Sequence, residues 1–118
     1  MAANPIPVAE LQLDTVTTPE ETLVRCTGRI VSSSVSTLQE TVRNLIPTSK
    51  RIVLDLTDVN YLDSSGLGAL VGLYISAKRQ NCEFKLIHLN QRLKELFRLT
   101  RLANVFEGHD DMLGVTPD

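Results

Sequence analysis

The chain is 118 residues long, 42% hydrophobic and 22% charged, the size and composition of one compact domain with one core. Twelve Lys and Arg against fourteen Asp and Glu leave a formal net charge of -2, so no global attraction to nucleic acid or to an acidic membrane surface is expected. Any partner contact has to be local. The most apolar stretch, residues 66–77, is well short of the roughly 20 residues a membrane-spanning helix needs, and it contains Gly66, Gly68 and Gly72. The start, MAANPIPVAE, shows no basic segment followed by an apolar run, and Cys26 and Cys82 lack metal-ligand spacing. The expectation is a cytoplasmic protein with two reduced thiols, no metal, no cofactor and no membrane insertion.

Asn4-Pro5-Ile6-Pro7 cannot pair regularly inside a sheet, so residues 1–8 read as an extended tail and residues 9–118 as a single domain. Leu11, Leu13 and Thr15 alternate with polar residues, and after a turn at residues 17–21 the β-branched run TLVRCTG follows, which reads as a hairpin. Val35, Leu38, Val42, Leu45 and Ile46 then recur at helical spacing up to Pro47, with Ser36 and Gln39 placed for a capping box. In RIVLDLT, residues 51–57, Ile52, Leu54 and Leu56 share one face and Val53 takes the other, the pattern of a central strand covered on both sides.

Leu67, Leu70, Val71 and Tyr74 mark a second helix closing around residues 79–81, and CEFKLIHL returns as a strand. Asn90 caps a further helix carrying Leu93, Leu96 and Phe97, and Val105-Phe106 reads as a short last strand. Strands separated by helices of this length need parallel crossovers, while the first pair is a hairpin. The fold class is therefore α/β (mixed α+β), a mixed sheet of about four or five strands with helices packed on it.

The stretch Asp63-Ser64-Ser65-Gly66-Leu67-Gly68 joins the central strand to its helix. Asp63 or Ser64 supplies the short oxygen-bearing side chain that caps a helix start. Capping leaves the glycines unexplained, because each glycine inside a helix costs roughly 0.8 to 1 kcal/mol relative to alanine. Either the backbone comes close to a partner or the helix lies close to its own sheet. Gly68 and Gly72, one turn apart on one face, favour internal packing of the two. A helix amino terminus also favours a phosphate on a serine in its first turn.

The segment RIVLDLTDVNYLDSSGLGALVGLY, residues 51–74, resembles the STAS domain family, the fold shared by bacterial anti-sigma factor antagonists and the cytoplasmic tails of sulfate transporters. The likeness rests on Asp55-Leu56, the turn with Asp58-Val59, Leu62 and the Asp-Ser-Ser-Gly-Leu-Gly helix start, and extends over residues 10 to 107. It implies that Ser65 is the serine phosphorylated by a partner anti-sigma factor, a GHKL-type serine kinase, and that Asp63, Ser64, Gly66, Leu67, Gly68 and Arg29 belong to the partner-binding surface. The implied function is partner switching: the unmodified chain binds the kinase and frees a sigma factor, and the phosphorylated chain lets go. The chain departs from the pattern at Gly28-Arg29-Ile30-Val31, where many antagonists carry Gly-Glu-Leu-Asp, and there Arg29 offers a charge partner to a nearby phosphate. The alternative within the same resemblance is a small subunit that binds and stabilises the ATPase of an ABC-type membrane lipid transporter.

An enzyme is not expected. Ser65 lacks a G-x-S-x-G elbow, and neither His88 nor His109 is linked to it in sequence. Arg92, Lys94, Arg98 and Arg101 read as a solvated helix face, and no phosphate loop of the G-x-x-x-x-G-K-[ST] kind is present.

Overall fold

A computed structural model of the chain describes residues 10–100. The expected tail, Val105-Phe106, Arg101 and His109 lie outside the described residues. The first hairpin joins β1, Leu11–Thr17, to β2, Thr22–Ile30, in antiparallel register with Leu13 opposite Cys26. Thr18 closes the turn: its side-chain oxygen accepts the N–H groups of Glu20 and Glu21 and donates to the Glu21 carbonyl. Helix α1, Val35–Leu45, follows, and a 3-10 turn, Ile46–Thr48, carries Pro47 before β3, Arg51–Leu62. Helix α2 spans Ser64–Arg79, β4 spans Glu83–Ile87 and α3 spans Gln91–Leu99.

The sheet has the order β1-β2-β3-β4, with β3 parallel to both β2 and β4. The four described strands bear out the mixed sheet: an antiparallel hairpin at one edge, and parallel pairing wherever a helix intervenes. Asn90 caps α3 as expected, its Oδ1 accepting the Leu93 N–H at 2.8 Å. Asn81 ends α2 in the left-handed region, at φ 59°, where its short polar side chain is tolerated.

The core gathers Val24, Cys26 and Ile30 of β2, Ile52, Leu54 and Leu56 of β3, and Phe84 and Leu86 of β4. Against them lie Leu38 and Val42 of α1, Leu70, Leu73 and Ala77 of α2, and Leu93 and Phe97 of α3. Val53 and Asp55, on the other face of β3, are buried as well, so the strand is covered on both sides as its pattern predicts. Cys26 and Cys82 are both free and buried. Burial, and then the nearby Asp55 carboxylate, push the Cys26 thiol up to about 12, which leaves it protonated and unreactive at neutral pH.

Two local expectations are corrected. No capping box forms at α1, because its N-cap is Ser34 and the Ser34 hydroxyl is turned into the β2–α1 connection. That hydroxyl donates to the Arg29 carbonyl at 2.7 Å and accepts the Val31 N–H at 3.0 Å. The turn expected at Asp58-Val59 is instead strand, and β3 runs on to Leu62 through two register shifts against β2. Those irregularities let twelve residues of β3 follow a shorter neighbour. They also carry the end of β3 to the start of α2. No helix among the described residues is long and apolar enough to cross a membrane.

Candidate functional site at the start of α2

Asp63 leaves β3 in an extended conformation, φ -102° and ψ -174°, which aims its side chain back over the first turn of α2. One carboxylate oxygen accepts the Gly66 N–H at 2.9 Å, and the other accepts the Ser32 N–H at 3.1 Å. The carboxylate thus caps α2 and ties it to the segment between β2 and α1. The Gly66 N–H first, and then those of Ser32 and Ser65, outweigh the opposing effect of burial and hold the Asp63 carboxyl below its usual pKa. Of the two candidate caps read from the sequence, Asp63 is the one used.

Backbone contact closes the same seam. The Asp63 N–H donates to the Ile30 carbonyl at 3.3 Å. A methyl group at Gly66 would lie 2.3 Å from that carbonyl oxygen and 2.8 Å from Leu62 Cδ1, so only glycine fits without displacing backbone. The expected internal packing of Gly68 and Gly72 is not found among the described residues, none of which a methyl group at either would meet within 4 Å. Among the described residues, close approach within the fold accounts for Gly66 alone of the three. The other two lie along the outer side of α2, where Ile75 is 45% exposed.

The residues expected at a partner surface therefore divide. Ser64, Ser65 and Gly68 are exposed at the start of α2, while Gly66 is buried against β2 and Leu67, 8% exposed, belongs to the core. Arg29, paired with Tyr61 across β2 and β3, is half-exposed, and its guanidinium carbon lies 5.3 Å from the Tyr61 ring centroid. Beside Tyr61 a groove of about 710 Å³ opens toward α3, lined by Leu62, Arg92, Leu96 and Leu99 among others.

A second polar cluster, not singled out in the sequence as a unit, surrounds Asp55 in the middle of β3. Its side chain is 7% exposed and takes hydrogen bonds from the Thr57 N–H at 3.0 Å and from the Thr57 hydroxyl. His88 Nδ1 lies 3.1 Å from the carboxylate and Arg25 Nε lies 3.7 Å from it. Burial alone would raise the Asp55 carboxyl, but the Thr57 and His88 contacts outweigh it and leave the pKa below the usual value. A lone carboxylate inside an apolar strand was the available signal. His88, at φ 62°, turns the chain out of β4 and spends its ring on Asp55, leaving Ser65 and His88 in separate clusters. This arrangement joins β2, β3 and the β4–α3 connection, and it reads as structural.

A family model described as the STAS domain matches residues 12–112. The anti-sigma-B factor antagonist of Bacillus subtilis (strain 168) is 34% identical over 84 residues, covering 71% of this chain and 77% of the relative. The protein of the same name from Listeria monocytogenes is 43% identical over 54 residues, and the chain spans about half of that relative's length, 47%. Among solved structures, an anti-sigma factor antagonist from Mycobacterium paratuberculosis superposes with a TM-score of 0.73 at 20% identity, covering 92% of this chain and 95% of that one. The unphosphorylated form of the anti-sigma factor antagonist SpoIIAA gives 0.68 at 18% identity, covering 91% and 99%. At those identities the structures speak for the fold alone. With its sheet order, its helix start and a family match over most of its length, the chain belongs to the STAS domain family.

Proposed function

We propose that this chain is an anti-sigma factor antagonist that binds an anti-sigma factor serine kinase of the GHKL type, releases a sigma factor, and is switched off by phosphorylation of Ser65. The observation that carries the reading is the exposed Ser65 in the first turn of a helix whose start is fixed from two sides, by the Asp63 carboxylate and by the Gly66 contact with Ile30. The names of the curated relatives support the antagonist class. Catalysis by this chain is not required, since Ser65 would be the kinase's substrate.

Phosphorylation adds about -1.5 to -2 charges, and at a helix amino terminus an anion stabilises by roughly 0.3 to 1 kcal/mol. The fold therefore tolerates the modification. At a closely packed interface the same group has to be desolvated, and a cost of even ~3 to 4 kcal/mol lowers affinity on the order of a hundred-fold or more. Gly68 and Gly72 extend the reading along α2, because their open outer side lets a partner's backbone approach the helix.

The test is incubation with the candidate kinase and ATP, followed by site-resolved mass spectrometry and pull-downs of Ser65→Asp and Ser65→Ala. Phosphate is expected on Ser65, with weakened kinase binding for the aspartate variant and retained binding for the alanine variant. No phosphate on Ser65, with both variants binding equally, would sink the reading.

A further inference from the structure

Glu10 belongs to no motif in the sequence, yet it meets the end of β2 through both its backbone and its side chain. Its carbonyl accepts the Arg29 N–H at 2.9 Å. Its carboxylate places one oxygen 3.6 Å from the Arg29 guanidinium and accepts the Ser33 hydroxyl with the other. Gly28 permits this approach: it sits at φ 118°, and a methyl group there would lie 2.2 Å from the Glu10 carbonyl oxygen.

The same end of β2 forms the seam with α2. Ile30 carries the carbonyl that meets Asp63 and Gly66, and Ser32 donates its N–H to the Asp63 carboxylate. Arg29 stands one residue from that seam on β2, and Ser65 stands one residue from it on α2. The side chains of Arg29 and Glu10 are 51% and 38% exposed, so their pairing is weakly held. A phosphate dianion is the stronger acceptor, because a guanidinium can bind two of its oxygens at once.

We infer that Glu10 competes with phosphorylated Ser65 for Arg29. In the unmodified chain Arg29 rests between Glu10 and the Tyr61 ring. A phosphate on Ser65 draws the guanidinium across the seam, which frees the Glu10 carboxylate and the Ser33 hydroxyl and changes the charge pattern a partner meets. The exchange is of ion-pair partners only, and no covalent bond changes beyond the serine phosphoester. This inference rests on the reading of Ser65 as the phosphorylated residue.

Its test avoids any kinase. Phosphoserine is encoded at position 65 during synthesis, and the second ionisation of the phosphate is followed by phosphorus NMR in the otherwise wild-type chain, in Arg29→Gln and in Glu10→Gln. Arg29→Gln is expected to raise that ionisation by about half a pH unit, because a nearby cation stabilises the dianion. Glu10→Gln is expected to lower it, because the competitor is gone. Thermal melts confirm that each variant folds, and Glu10→Gln keeps the comparison decisive should Arg29→Gln unfold. The same titration in all folded forms would overturn the inference. A kinase that fails to label Ser65 would instead remove the phosphorylation reading while leaving this titration unaffected.

Discussion

At Gly66 a methyl group would meet the Ile30 carbonyl oxygen at 2.3 Å, whereas at Gly68 and Gly72, further along the same helix, it would meet none of the described residues within 4 Å. In the sequence the three glycines look alike. Each costs helix stability relative to alanine, and among the described residues only the first makes a close contact that requires glycine. Gly66 brings α2 down onto the end of β2, so that Asp63 can cap the helix and hold Ser32 at the same time. Gly68 and Gly72 make no such contact with the described residues, which leaves them open to the partner contact proposed above. A helix start locked from within and open from without suits the switch proposed above, which would act on a contact and not on the fold.

The largest effect is expected from Gly66→Ala, which forces backbone apart at the seam and should cost roughly 1 to 3 kcal/mol, as overpacked sites do. Urea unfolding would show it as a lowered midpoint; an unchanged midpoint would mean that the close approach is not needed. Gly68→Ala and Gly72→Ala should move the other way, each gaining up to about 1 kcal/mol of helix stability. The contrast in sign is the sharpest check that the glycines differ, and loss of stability in either outer variant would break it.

Two carboxylates, Asp63 at this seam and Asp55 in the separate cluster on β3, give a smaller, pH-dependent effect. Asp63 and Asp55 both have folded pKa values below the usual carboxylate value. Each therefore contributes stability that is present above about pH 4, the unfolded carboxylate range, and is lost as pH falls through the lowered folded value. Asp63→Asn and Asp55→Asn should each lower the urea midpoint at neutral pH and flatten its decline in acid. A decline as steep as in the parent chain would show that neither carboxylate carries the acid response.

Much of the architecture was legible because it rests on periodicity. The alternation before Thr17, the helical spacing from Val35 and Leu67, and the asparagine cap of α3 all follow from which side chains must leave water. The seam was legible only in part. The helix start at Asp63 shows itself as capping chemistry, but which glycine makes the close approach depends on the position of Ile30, some thirty-six residues earlier, and no local pattern encodes that. The run of β3 past Asp58 was hidden for a similar reason, since its register shifts arise from pairing with β2. Glu10 carried no sequence signal at all, because its role depends on the backbone approach that Gly28 allows.

The central claim is that phosphate on Ser65 acts on a partner contact and leaves the fold intact. It is tested most directly by measuring the melting temperature and the kinase affinity of the same preparation, with phosphoserine encoded at position 65 and without it. The melting temperature should stay level or rise slightly while affinity falls about a hundred-fold. Equal affinity for both forms, or a phosphorylated chain that no longer folds, would contradict the claim.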